Sequence, residues 1–180
     1  MAASAIEPLL VSDFNGELPV TKQDGEIIAR QRVPSAVKFR LDDETFHGES
    51  GKSLRVEFIR LRGGEECLLL LRIPGVDLTG YNALSFWVKG TEGGEIFDVG
   101  IRDAEMDRQE KLPANLEPIE KSLPGGITTE WQKAVIPLSK ILGESSRQSG
   151  SILIVFNRIT KYSVIQIDDM AFESVEEKAK

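Results

Sequence analysis

Little in this chain is available for chemistry. Its 180 residues include one cysteine, one histidine, two tryptophans and two tyrosines. A single cysteine excludes an intrachain disulfide. Cys67 lies in EECLLLLRIP, on one strand face with Leu69 and Leu71, and reads as a buried, inert thiol. A single histidine, His47, excludes a metal site built on two histidines, and its setting in FHGESG reads as a surface loop. Long apolar runs are missing: the longest, CLLLLRIP, contains an arginine and falls short of the roughly 18–20 residues of a membrane span. There is no N-x-[ST] sequon, since Asn15, Asn82, Asn115 and Asn157 all lack the hydroxyl residue two places on. The opening MAASAIEPLLVSD has no basic region and is not a signal peptide as it stands. The compartment stays open: extracellular or periplasmic if a leader has been removed, otherwise cytoplasmic.

Positive charge is also short. Net charge is −7 and the pI is about 4.9. An acidic surface repels phosphate backbones, and no polybasic patch is present, so neither nucleic acid nor membrane is an expected partner. With 41% hydrophobic and 28% charged residues the chain is globular, and its length suits one domain over residues 1–180, with 1–8 and 174–180 as frayed ends.

What is present is alternation. SLRVEFIRL sets Leu54, Val56 and Phe58 against Arg55 and Glu57. ALSFWVKG sets Leu84, Phe86 and Val88 against Ser85, Trp87 and Lys89. EIFDVGIRD puts Phe97, Val99 and Ile101 on one face, and Asp98, Gly100 and Arg102 on the other. KAVIPL, SILIVFNRI, SVIQIDDMAF and the early PLLVSDF are further strands. Gly- and Pro-bearing turns such as KQDGE, RGGEE, IPGVDLTG and LPGGITTE separate them. The pattern predicts an all-β, two-sheet antiparallel sandwich with under about a tenth of residues in helix. PLSKILGE is the one short helix expected, with Pro137 near its start and Gly143 ending it. Residues 103–122 are charged, carry two prolines and read as a long irregular loop with a short strand near Ile119.

Two motifs fail on inspection. In FHGESGKSL a phosphate loop would need glycine where Phe46 stands, and a nucleophile elbow would need glycine where Lys52 stands. No pair of carboxylates has a diagnostic setting, so no enzyme activity is expected. The acids of SDFNGE and QIDDM are of more interest, since they flank the first and last strands. If those strands are neighbours, Asp13, Asn15 and Asp168 offer hard oxygen ligands of the kind Ca²⁺ takes. The alternative is that they are turn residues bonding their own backbone.

Three segments, DLTGYNALSFWVKGTEGGEIFDVGIRD, GITTEWQKAVIPLSKI and VIQIDDMAFE, together with SDF and SGKSLRVEF, resemble the galactose-binding-like jelly rolls. Among these they resemble the non-catalytic carbohydrate-binding modules of bacterial glycoside hydrolases, family eleven and its neighbours. The resemblance implies a glycan or polysaccharide bound on a concave sheet face or at loop tips. An attached or associated glycoside hydrolase is implied too, as is a structural calcium on Asp13, Asn15 and Asp168, with Asp169 as the rival to Asp168. Trp131 is implied as a buried aromatic closing the core beside KAVIPL. Trp87 is either packed under a loop or a contact surface. The polar ligand-binding candidates are Arg102, Asp103 and Asn157, whose planar groups suit vicinal hydroxyls. The alternative function on this fold is a protein-interaction or assembly domain with no sugar ligand.

Overall fold

The computed structural model describes residues 6–64, 66–142, 147–158 and 161–176. It contains β1 (Leu9–Ser12), β2 (Ile27–Gln31), β3 (Ala36–Asp42), β4 (Ser53–Ile59), β5 (Cys67–Asp77), β6 (Ala83–Gly90) and β7 (Asp98–Asp103). These are followed by α1 (Ala104–Arg108), β8 (Glu117–Pro118), α2 (Ile119–Ser122), β9 (Gln132–Pro137), α3 (Leu138–Ile141), β10 (Gln148–Val155) and β11 (Ser163–Glu173). The three helices have five, four and four residues, so helix is as scarce as the alternation predicts. Pro137 caps α3 as expected; Gly143 lies outside the described residues, as do parts of both expected frayed ends.

Every described strand pair is antiparallel. The first sheet runs β3-β4-β11-β6-β9, with β1 also on β11; the second runs β2-β5-β10-β7-β8. The first and last strands are therefore neighbours: Leu9 faces Phe172 and Leu10 faces Ala171. The core lies between the sheets, filled by the apolar half of each alternation. Leu54, Val56, Phe58, Leu84, Phe86, Val88, Ile165 and Ile167 meet Cys67, Leu69, Leu71, Val99, Ile101, Ile152 and Ile154. Phe58 and Phe156 stack across it with ring centroids 4.0 Å apart. Each such side chain contributes roughly 1.5–3 kcal/mol by leaving water. Cys67 belongs to this core, and burial pushes its thiol up to about 11, as an inert cysteine requires.

Two strands, β2 and β3, add to those read from alternation. The irregular 103–122 region also resolves into α1, the two-residue β8 and α2 rather than open loop.

Candidate functional site

A sandwich leaves two outer faces, and the register states what each carries. On the first sheet, Trp87 of β6 stands opposite Asp168 of β11 on one side and Lys133 of β9 on the other. Leu84, Phe86 and Val88 point inward, so Ser85, Trp87 and Lys89 point outward. Trp131 immediately precedes β9, and its odd number puts it on this outer face with Lys133. It is half-buried there rather than closing the core, which corrects the expectation for it. Ala134 and Ile136 fill the core in its place.

The 43–52 loop between β3 and β4 folds over this face. The His47 ring stacks on Trp87, with centroids 3.8 Å apart and an interplanar angle of 16°. Trp131 meets the same imidazole edge-on at 6.0 Å, and the Lys89 ammonium sits 5.9 Å from the Trp131 ring centroid. Two carboxylates fasten the histidine. Its backbone N–H donates to Asp168 Oδ2 at 2.9 Å, and its Nδ1 lies 2.9 Å from Asp169 Oδ2. Adjacent strand residues ordinarily point to opposite faces. Here a β-bulge intervenes: Asp168 pairs with Trp87 but Ala171 with Ser85, one extra residue on β11, and Asp169 has φ 47. The bulge aims both acids at one imidazole, so Asp168 and Asp169 are partners rather than rivals. Burial pushes the Asp168 carboxyl up to about 6, opposed by the two backbone N–H groups it accepts from, those of His47 and Asp169.

Polar groups frame the aromatic patch. Lys133 pairs with Glu173 at 2.8 Å, and Ser85 donates to the same carboxylate. At the far side the Tyr162 hydroxyl donates to Glu57 at 2.8 Å; that bond, with Arg55, holds Glu57 below the usual carboxylate range.

The proposed cation ligands have other partners. Asp13 pairs with Lys22 at 2.9 Å and caps its own turn by accepting from Asn15 N–H. The Asn15 amide oxygen accepts from Lys52 N–H at 2.7 Å. A Cβ on Gly51 would come within 2.3 Å of that oxygen, so the glycine, at φ 138, is what lets the two turns close on each other. Both Asp168 oxygens accept backbone N–H groups. These oxygens are engaged by lysines and amides, and as arranged they do not fit a calcium cage. Among the described residues no group of three His, Cys, Asp or Glu side chains is placed to hold a metal ion.

The second sheet's outer face is different. Its strands direct Ile28 and Arg30, Leu68, Leu70 and Arg72, Ser151, Leu153 and Val155, and Gly100 and Arg102 outward. Leu68, Leu70, Leu153 and Val155 form a second apolar cluster, at most 1% exposed, packed with Ile28 and Leu116. The cover is residues 103–118. Asp103 caps α1 by accepting from Met106 N–H at 2.7 Å. Asp107 accepts from the Ser151 hydroxyl at 2.5 Å. A Cβ on Gly100 would meet Leu116 at 2.6 Å and Pro113 at 2.8 Å, so glycine allows the segment to lie flat on β7.

This cover takes Arg102, a ligand-binding candidate from the sequence, off the open surface. Arg102 is 2% exposed; its guanidinium lies 3.7 Å from Asp107 and donates to the Glu110 carbonyl at 3.4 Å. Asn157 follows β10 at the opposite end of the sheet, because Val155 pairs with Asp98 whereas Ser151 pairs with Arg102. Its buried Oδ1 has no hydrogen-bond partner among the described residues. The four ligand-binding candidates therefore do not converge: Trp87 is on one face, Arg102 and Asp103 at one end of the other, and Asn157 at its far end. Sequence reasoning missed His47 as a site residue. Its signal lies in the bulged pair of acids on β11, which only the three-dimensional register exposes.

Comparison with known proteins agrees with this architecture. The carbohydrate binding domain 30 family matches over residues 29–177. The family 30 carbohydrate-binding module of a cellulosomal cellulase of Clostridium thermocellum superposes with a TM-score of 0.68 at 20% identity, covering 96% of this chain and 100% of that one. A family 11 module from the same organism, in complex with a β-1,3-1,4-mixed-linked tetrasaccharide, gives 0.67 at 14% identity, covering 97% and 100%. A β-1,2-glucanase from Parabacteroides distasonis gives 0.70 at 15% identity, but 96% of this chain spans only 26% of that enzyme. No curated protein matches.

Proposed function

The chain belongs to the carbohydrate binding domain 30 family, and on that premise we propose that it is a non-catalytic module holding a glycan on the outer face of the first sheet, against Trp87, Trp131 and His47. One observation carries the choice of face: both tryptophans of the chain stand there, half-buried, around one imidazole. Sugar C–H faces stack on aromatic rings, and the second sheet's outer face directs none outward. Asp169, Lys89 and Lys133 stand beside the rings, where hydroxyl groups need donors and acceptors. The His47 imidazole lies over Trp87 much as a sugar ring would, so a ligand either extends the stack beside it or displaces it.

Nothing in this arrangement supplies a reaction. Asp168 is buried and committed to backbone N–H groups, and Cys67 is sealed in the core. The module's contribution is adhesion, which would concentrate an attached or associated glycoside hydrolase on its polysaccharide. Calcium has no place in this reading, because the oxygens that would hold it bind lysine and amide groups.

Isothermal titration with the mixed-linked β-1,3-1,4 tetrasaccharide and with cellotetraose tests the proposal. Binding is expected for at least one, without release of reducing ends, and Trp131→Ala should weaken it about tenfold or more. Binding that survives Trp131→Ala and Trp87→Ala unchanged puts the sugar elsewhere.

A further inference from the structure

We propose that the second sheet's outer face carries an acceptor site for a carboxylated sugar, a uronate, and that the chain's own Glu110 occupies it in this structure. Three arginines from three strands project from that face. Arg30 lies on β2 opposite Leu68, and Arg72 on β5 opposite Ser151, which in turn faces Arg102 on β7. Glu110 closes the group from above. Arg30 Nη2 donates to Glu110 Oε1 at 2.7 Å, and Arg102 Nη2 donates to the Glu110 carbonyl at 3.4 Å. The bond from Arg30 and its charge hold the Glu110 carboxyl below its ordinary range, and the charges of Arg102 and Arg72 add to this. Beneath them, the buried Arg102 keeps an Nε without a hydrogen-bond partner among the described residues.

Glu110 is held there at a local cost. Its φ of 54 lies in the left-handed region that a side-chain-bearing residue seldom adopts. It is also exposed, unlike the parts of the cover that pack on the sheet. Pro113 and Leu116 lie on Gly100, and Asp107 lies on Gly150, at places where a Cβ would clash. Exchange of ligand therefore needs only the Glu110 side chain to swing out while the cover stays seated. The incoming group proposed is a carboxylate, because a planar carboxylate reproduces the pairing between the Arg30 guanidinium and the Glu110 carboxylate that it displaces. A sugar ring bearing it would find the half-buried Ile28, two places before Arg30 on the same outward face of β2, for its C–H face. The inference takes from the family reading only that the ligand is a glycan; the face, the residues and the charge of the ligand are distinct.

The test is a titration of the full chain with tri-galacturonate, with the neutral mixed-linked tetrasaccharide, and with an acetylated tetrapeptide of glutamate. Proteins to compare are the parent, Glu110→Gln, Glu110→Gly and Arg30→Gln. Glycine takes the left-handed conformation freely, so Glu110→Gly keeps the fold while removing the occupant. Tri-galacturonate should bind Glu110→Gln and Glu110→Gly about tenfold more tightly than the parent. Binding should weaken as salt is raised and vanish in Arg30→Gln. The neutral tetrasaccharide should be indifferent to all three variants, so loss of its binding tests the family reading and not this one. No binding of tri-galacturonate to either Glu110 variant, or binding that Arg30→Gln leaves unchanged, overturns the proposal. Equal binding of the glutamate peptide overturns the assignment to a sugar.

Discussion

On the first sheet the side chains turned away from the core include a tryptophan, lysines, arginines, a serine and acids, and the loop that crosses them brings a histidine. On the second sheet they are leucines, valine, glycine and arginines, and the segment that crosses them brings a proline, a leucine and two acids. The first loop lies over aromatics that remain half-exposed; the second buries aliphatics to at most 1% exposure. The difference follows from size and polarity. An indole is too large for a short loop to cover and its edge tolerates water, whereas a row of leucines gains most when water is excluded. A strand face that faces solvent by topology is thus not solvent-exposed by default: it becomes a platform or a second small core according to what the neighbouring segment carries.

The sharpest way to break this contrast is to truncate one side chain on each face. Leu153→Ala, in the covered cluster, should cost about 2–5 kcal/mol in urea unfolding, as for a core leucine. Lys133→Ala, on the open face, should stay within about 0.5 kcal/mol. Comparable costs would mean that residues 103–118 do not seal the second face. A gentler probe is Gly100→Ala, whose added methyl meets Leu116 and Pro113. It should cost about 1–3 kcal/mol and expose residues 104–118 to protease. A variant as stable and as resistant as the parent would show that the cover does not rest on β7.

On the open face the test is pH. Asp168 has its carboxyl raised from 3.8 to about 6. A raised carboxyl favours the folded state while protonated, so its stabilisation is fully present below pH 3.8 and is lost as pH rises through about 6. His47 and Asp169 face the same carboxyl, so the quantity to follow is the difference in melting temperature between the parent and Asp168→Asn, which isolates Asp168. That difference should move against the parent between about pH 4 and pH 6.5, and a flat difference would mean the carboxyl is not perturbed. The smallest expected effect is that of calcium. Melting in excess calcium and in excess chelator should coincide, because Asp13 and Asn15 are engaged by Lys22 and Lys52. A chelator-dependent fall in melting temperature would restore the cation site on Asp13, Asn15 and Asp168.

Much of the architecture was legible in the residues. The inward halves of β4, β6, β7 and β11 follow from alternation at Leu54, Leu84, Val99 and Ile165, and so does the adjacency of the sheets' apolar faces. β3 carries the same signal in Val37, Phe39 and Leu41, although it goes uncounted without its neighbour β2. That edge strand, IIARQ, opens with two apolar residues and has no clean alternation. The site was less legible for two physical reasons. A bulge changes which face a residue takes without marking the sequence, so DD on β11 read as alternatives when both acids hold His47. Outward-facing Arg102 could not be known to be covered, because its cover depends on whether a charged, proline-bearing segment packs back onto Gly100. Trp131 was misplaced by its position before β9: the register with β6 turns it outward.

The central claim is that sugar meets the face carrying the tryptophans. The chain has only two, so the indole region of a ¹H–¹⁵N spectrum reports Trp87 and Trp131 alone. Titration with the neutral mixed-linked tetrasaccharide should shift both indole signals together with the amides of His47 and Asp169, while those of Leu68, Leu70 and Leu153 stay still. Stationary indoles with shifts confined to β5, β7 and β10 would contradict the account and place the glycan on the second sheet.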